Sequence, residues 1–479
     1  MSDANATMKN AKQGVPLSFY RSVLPCLFSL MTLVMAAPMA SAQMSQAARD
    51  SINKVTQKDY EQMLGQLGLS ATDMRRGPSG DPTAPNAANR FEEKVNTYQL
   101  PDPLQLKNGN KVKTAASWWN ERRPQIVGDF DREVYGRLPQ NIPSVKWVVI
   151  SSRDTVVGNM PIKEKLLKGI VDNAAHPAIK VEIELLVATP AKADKAVPLV
   201  MEFGWINNPF NRGPVQALGL GSSGEPTWKE QLIMRGWGYA ILVPSSIQAD
   251  NGAGLTQGII GLVNKGQYRK PDDWGSLRAW AWGASRAIDY LESDKDVDSK
   301  RLAIEGLSRY GKATVVAMAY EPRFSLAFIG SSGAGGAKIL RRIFGEQIEN
   351  LCSSGEYHWF AGNFIPYAAK RTAQDVPVDA HEIVALCAPR PVFISSGSPQ
   401  VEGQWVDAKG MFLGGVHAGP VYKLLGKKDL GTTTFPKLGT ALTTGEIAFR
   451  QHAGGHSTGP NWSTFIAWAC RYWGECRYE

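Results

Sequence analysis

From residue 181 onward, short apolar runs alternate with amphipathic stretches. Val181 to Ala188, Pro198 to Phe203, Tyr239 to Val243, Leu302 to Ile304, Leu326 to Ile329, Pro391 to Ser395 and Ile447 to Arg450 read as apolar strands. Between them, Gly275 to Glu292 sets Leu277, Trp280, Ala281, Ala284, Ala287, Ile288 and Leu291 at helical spacing, which predicts a strongly amphipathic helix. Ala313 to Tyr320, rich in Ala, Val and Met, predicts another. Strands separated by helices predict an α/β fold, a mostly parallel sheet with helices on both faces in a three-layer sandwich. Functional groups in such sheets gather at the carboxyl ends of the strands.

The earlier chain carries less pattern. Trp118 to Tyr135 reads as a helix broken by Pro124. Residues 43–75 are polar with helical spacing, and Gly77 to Asn89, rich in Pro, Gly, Ala and Asn, reads as a linker. At the start, Lys9, Lys12 and Arg21 precede an apolar run from Val23 to Ala37, and Ala40-Ser41-Ala42 matches a small-x-small cleavage site. This predicts a secretory signal cleaved before Gln43, hence a secreted or periplasmic protein. No later segment is long and apolar enough to span a membrane. The expected organisation is a signal peptide over 1–42, a helical and linker appendage over 43–103, and a catalytic domain over 104–479.

Composition narrows the partners. The 479 residues are 43% hydrophobic and 20% charged, as expected for one large domain or one with an appendage. The net charge of +9 suits an acidic polysaccharide, nucleic acid or simple solubility. No Lys/Arg block interleaved with aromatics and no nucleic-acid motif occurs, so nucleic acid is not expected as a partner. After cleavage four cysteines remain: Cys352, Cys387, Cys470 and Cys476. Export permits disulfides, and Cys470 and Cys476 are close enough in sequence to pair. Without a C-x-x-C and with scattered histidines, a zinc site is not expected.

The segment richest in chemistry is Gly306-Leu307-Ser308-Arg309-Tyr310-Gly311-Lys312. It joins the strand Arg301 to Glu305 to the helix that follows. A serine at a tight strand-to-helix turn holds its hydroxyl clear of the backbone, beside a helix N-terminus. This is the nucleophile elbow of the α/β-hydrolase fold. Arg309 and Lys312 place positive charge where an acyl oxyanion or an anionic substrate would sit.

Serine needs a base, and in this chain order the base is a histidine after the last strand. His456, in His452-Ala453-Gly454-Gly455-His456-Ser457, sits there. His452 is its competitor, read as a structural hydrogen bonder. The orienting acid belongs between serine and histidine at a strand end. The loop Gly330 to Gly336 has no carboxylate, whereas the loop after Ser395 contains Glu402 and Asp407 around Trp405. Glu402 is the first candidate and Asp407 the second.

At these residues the chain resembles carbohydrate esterase family 15, the glucuronoyl esterases, whose signature is G-C-S-R-x-G-K. Here Leu307 replaces the cysteine. Further matching segments are Arg122-Arg123-Pro124 with Glu133 to Gly136, Trp274 to Gly283, Gly333 to Lys338 with Arg341-Arg342, His358-Trp359-Phe360, Trp405 with Asp407, and Gly455-His456. The resemblance covers most of 115–475 and points to a bacterial-type member. It implies hydrolysis of esters of glucuronic or 4-O-methyl-glucuronic acid, as in lignin-carbohydrate links to glucuronoxylan, with no metal or cofactor; a monomer is expected. It implies Ser308 as nucleophile, His456 as base and Arg309 as oxyanion support. Lys312, Glu346 and Trp405 would contact the sugar, and His358 is read as structural. Many members carry the catalytic glutamate where this chain has Ser331. Some bacterial members place it near the later tryptophan, where Glu402 fits. Two rival readings follow: a xylan deacetylase, or a polysaccharide-binding member impaired by the missing acid at 331.

Overall fold

Ten strands line up in one sheet: β1 (Val145–Val157), β2 (Met160–Val171), β3 (Glu182–Pro190), β4 (Val197–Phe203), β5 (Gly238–Leu242), β6 (Val297–Leu307), β7 (Leu326–Gly330), β8 (Val392–Ser396), β9 (Ala441–Leu442) and β10 (Ile447–Gln451). The computed structural model describes residues 45–206 and 226–474. The strand order is β1-β2-β3-β5-β4-β6-β7-β8-β10-β9. The run from β5 through β10 is parallel, whereas β1, β2, β3 and β9 pair antiparallel at the two edges. This is the α/β-hydrolase arrangement, with every expected strand present.

Side chains alternate across the parallel strands and feed two cores. Leu199, Met201, Leu302, Ile304, Ala327, Ile329, Ile394 and Phe449 face one side. There they meet α3 (Ser276–Leu291) and α4 (Arg309–Tyr320). Val200, Ala303, Phe328, Phe393 and Ala448 face the other, against Trp462, Phe465 and Trp468 of α6 (Trp462–Trp473). Three further long helices are α1 (Gln46–Gln66), α2 (Arg123–Glu133) and α5 (Ala408–Leu424), with shorter helical segments between. Apolar side chains on both faces explain why β7 and β8 read as unbroken hydrophobic runs. By contrast, β1 and β2 escape the apolar pattern because β1 is largely exposed and both strands mix charge on either face.

The expected break at Pro124 does not occur. A π-helical turn, Trp118–Arg122, runs directly into α2. Pro124 sits in the first turn of α2, where the amide it lacks is least missed.

The described residues from 46 onward form one compact unit, so the segment placed before the catalytic domain packs against it. From α1, Tyr60, Met63 and Leu64 enter the core. The Tyr60 hydroxyl donates to Cys352 O at 2.9 Å, and Tyr357 donates to Asp59 Oδ1 at 2.5 Å. Gly77 to Asn89 is docked instead of behaving as a linker: Asn89 accepts from Gly345 N at 2.9 Å and donates to Ile343 O at 3.0 Å. Cys352 and Cys387 are buried free thiols. Cys470 is disulfide-bonded, and its expected partner Cys476 lies outside the described residues, as does the expected signal peptide over 1–42. Among the described residues, no helix is long and apolar enough to cross a membrane.

Candidate active site

Ser308 stands at the end of β6 with φ 63° and ψ −128°. A positive φ in a non-glycine residue costs on the order of 1–3 kcal/mol and persists only where the surroundings enforce it. Here the Ser308 amide is held by Gly330 O at 2.9 Å, and Ser308 O accepts from Lys312 N at 3.0 Å in the first turn of α4. Gly306 makes the turn fit: a Cβ there would lie 2.5 Å from Tyr310 O and 2.7 Å from Thr314 Oγ1. Only a residue without a side chain lets α4 turn back so close to β6.

The loop after β10 reaches the same place. A Cβ on Gly330, whose carbonyl holds Ser308, would lie 2.3 Å from Thr458 Cγ2. Thr458 is two residues beyond His456, so β7's end joins the serine turn to the histidine loop. His456 Nδ1 pairs with Glu402 Oε1 at 2.6 Å. The other carboxylate oxygen, Oε2, accepts from Gly397 N at 2.5 Å. The Glu402 side chain is 2% exposed and that of His456 is 43% exposed. A buried acceptor thus grips Nδ1, and Nε2 becomes the nitrogen for proton transfer with the substrate side.

The competing residues have other work. His452 accepts from Gly454 N at 3.0 Å through Nδ1, and its Nε2 bonds Ser457 O at 2.8 Å. Burial lowers its pKa, and a neutral ring fits this bracing of the loop that presents His456. Asp407 caps α5 through Gly410 N at 2.9 Å and pairs with Arg342 Nε at 2.9 Å. It does not reach for the histidine: the structure brings Glu402, not Asp407, to His456. Ser331 is buried with φ 40°.

The basic residues are placed less simply than their spacing suggests. The Arg309 side chain is 36% exposed, with Nε 2.5 Å from Asp250 Oδ2 and the guanidinium over the Tyr310 ring. Its amide opens α4, where first-turn N–H groups lack helical acceptors. Lys312 is 4% exposed. Its Nζ donates to Ser332 O (2.8 Å), Ala334 O (2.7 Å) and Glu346 Oε2 (2.9 Å). All three donors are therefore committed within the protein, and Lys312 braces the glycine loop instead of reaching outward to a sugar. Glu346 Oε2 also accepts from Ala334 N at 2.9 Å, and Glu346 N bonds Trp405 O at 2.9 Å. Trp405 is half-buried against the core.

Two carboxylates of the site escaped the sequence reading. Glu356 Oε2 is enclosed and has no hydrogen-bond partner. Burial, then repulsion from Glu346, pushes its carboxyl up to about 7 against the pull of Lys312 and Arg309. Its signal was its position two residues before the matched segment His358-Trp359-Phe360. Asp250 follows β5 and bonds His358 and Trp359. Its signal was a carboxylate shortly beyond a parallel strand's carboxyl end. Among the described residues no cluster of three or more His, Cys, Asp or Glu is arranged to hold a metal.

Beneath the site, Glu202 of β4 and Glu305 of β6 stand opposite each other in register. Burial, then the neighbouring Glu202 charge, raises the Glu305 carboxyl well above its ordinary 4.5, and Glu305 hydrogen-bonds Thr458. The folded chain therefore binds more protons than the unfolded one above that value. The stability contributed is complete below the unfolded pKa and is lost as pH rises through the folded one. Glu305→Gln, which cannot ionise, is expected to gain on wild type as pH rises, read as urea midpoints at about pH 5 and about pH 9. Midpoints that move in parallel would contradict this.

A serine on a strained turn, a histidine gripped by a buried glutamate and amides opening a helix are the parts needed for acyl transfer. Residues 266–426 match the family model described as fungal glucuronyl esterase. A carbohydrate esterase from an unknown prokaryotic organism is 30% identical, over 80% of this chain and 92% of its own length. A 4-O-methyl-glucuronoyl methylesterase of Wolfiporia cocos is 26% identical, over 70% of this chain and 74% of its own. Among solved structures, a CE15 glucuronoyl esterase from Teredinibacter turnerae superposes with a TM-score of 0.81 at 41% identity, covering 88% of this chain and 100% of its own. A glucuronoyl esterase from Solibacter usitatus gives 0.70 at 36% identity, covering 80% and 100%.

Proposed function

Because the chain belongs to carbohydrate esterase family 15, the glucuronoyl esterases, we propose that it is a carboxylic ester hydrolase cleaving esters of glucuronic or 4-O-methyl-glucuronic acid by a serine acyl-enzyme route. The observation that carries this reading is the His456–Glu402 pair at 2.6 Å, on a loop packed against the Ser308 turn.

Ser308 Oγ attacks the ester carbonyl as His456 Nε2 takes its proton. Glu402 holds the ring and stabilises its imidazolium form. The Arg309 amide and guanidinium receive the oxyanion. The proton then passes from His456 to the leaving alcohol, and water, activated by the same histidine, releases glucuronate. Within the pocket, Trp405 lies beside the sugar ring, and the unpartnered Glu356 carboxyl takes a sugar hydroxyl. Lys312 acts one step back, fixing Glu346 and the glycine loop. We place the substrate in glucuronoxylan and its lignin-carbohydrate esters, and the mature protein outside the cytoplasm after removal of 1–42, acting as a monomer.

The test is release of glucuronate from benzyl glucuronate by the purified mature protein, set against p-nitrophenyl acetate. The expected result is kcat/KM higher on the glucuronate ester by about 10^2-fold or more, the scale set by polar groups built to match one substrate. Faster turnover of the acetate would favour the deacetylase reading.

A further inference from the structure

Asp250 stands at the centre of a contact set that the reaction above leaves without a purpose. Its Oδ1 accepts from Trp359 Nε1 at 2.6 Å and pairs with His358 Nε2 at 3.0 Å, while Oδ2 lies 2.5 Å from Arg309 Nε. Burial opposes its ionisation, yet the His358 hydrogen bond and the Arg309 charge outweigh burial and hold the carboxyl below its usual value. The loop bearing it is anchored in turn. Ala253 N donates to Thr56 Oγ1 at 3.0 Å, Gly254 N to Asn251 Oδ1 at 2.9 Å, and Trp280 Nε1 to Gln248 O at 2.8 Å.

The contact with Arg309 is a charge pair more than an aligned hydrogen bond. Arg309 Nε is buried yet finds no acceptor in hydrogen-bonding geometry. Nε is thus enclosed while about a third of the side chain remains exposed. One side of the fork is fixed by Asp250 and one face by Tyr310, so a developing oxyanion would meet a guanidinium already held in place. An arginine without such a holder samples many rotamers, and each productive encounter would have to order it.

We propose that Asp250 is a positioning residue for the oxyanion site, holding the Arg309 guanidinium in its productive orientation while His358 and Trp359 hold Asp250. This rests on the reading of Ser308 as nucleophile and Arg309 as oxyanion donor. His358, read from sequence as merely structural, becomes part of that support.

The experiment introduces Asp250→Asn into the wild type and into Arg309→Ala. In the wild type the expected result is a kcat lower by about 10- to 100-fold with KM within about twofold, the signature of an interaction made in the transition state. In the Arg309→Ala protein the same change is expected to cost less than about twofold, since nothing remains to be positioned. A second readout is the rate at which a fluorophosphonate labels Ser308. That reaction also needs the oxyanion site but no sugar, and it is expected to slow in parallel. A loss that is equally large in both backgrounds, or unchanged kcat and labelling in Asp250→Asn, overturns the proposal. Should Asp250→Asn misfold by circular dichroism, His358→Gln replaces it: a smaller loss, in kcat alone and absent from the Arg309→Ala background, is expected. A loss persisting there overturns it. If labelling depends on Asp250 but no glucuronate ester is hydrolysed, the function reading fails and this inference stands. If esters are hydrolysed but neither readout responds to Asp250, the reverse holds.

Discussion

Ser308→Ala is expected to lower kcat on benzyl glucuronate by about 10^4-fold or more, the scale seen when a triad nucleophile is removed. The variant loses the nucleophile but keeps the turn, because what holds the turn is backbone: Gly330 O on the Ser308 amide and the Lys312 amide on the Ser308 carbonyl. The variant should thus bind substrate as the wild type does, and equilibrium binding of a glucuronoxylan oligosaccharide separates lost chemistry from lost binding. Alanine is no worse suited than serine to a positive φ, so stability should stay within about 1 kcal/mol. Turnover above about a hundredth of wild type in a clean preparation would remove Ser308 from the mechanism.

Glu402→Ala carries the second large effect, an expected loss of about 10^3- to 10^4-fold in kcat, as for an orienting carboxylate in such a triad. Two contacts go together: the one on His456 Nδ1 and the one on Gly397 N. The first sets the tautomer and offsets the imidazolium charge. The second holds the loop that packs against Gly454 and Gly455. Glu402→Asp, a methylene shorter, cannot make both contacts unstrained and should fall between wild type and alanine. Asp407→Ala is the control. It leaves the buried Arg342 without one of its partners and removes the α5 cap, so it should lower the melting temperature while activity per folded molecule holds. The opposite pattern, with Asp407 controlling kcat and Glu402 neutral, would move the acid to 407.

These two residues also show where a single sequence is legible. Ser308 announces itself because an elbow is local: strand, turn and helix lie within twenty residues and the apolar pattern marks both flanks. Glu402 is reachable because the parallel sheet sorts its chemistry to strand ends, and only two carboxylates occupy the right loop. Asp407 carries one local signal, its place as the N-cap of α5, but its partner Arg342 lies 65 residues earlier, and only the fold shows that the carboxylate is spoken for. Lys312 shows a related blindness. Its position four residues past the serine predicts charge in the pocket, but its three acceptors come from a loop that must first fold over it. Glu356 and Asp250 sit on irregular segments of short turns, where no periodicity separates a buried carboxylate from a solvated one. The β1–β2 pair is missed because β1 is largely exposed and β2 spaces its buried Ile162, Leu167 and Val171 among charged residues.

The docking of α1 bears on the order in which the molecule can be made. Its bonds to the pocket wall join residues 292 and 298 positions apart. A ribosome adding roughly 5–20 residues per second leaves these two bonds unmade for roughly 15–60 s, although Thr56 can meet Ala253 sooner. Contacts of such sequence separation form slowly and late. Until Cys352 and Tyr357 emerge, Tyr60 and Asp59 lack these partners. The wall of the pocket that carries Glu356 and His358 is thus completed by the oldest part of the chain meeting a much younger one, while β8 and β10, whose following loops carry Glu402 and His456, are still to be made.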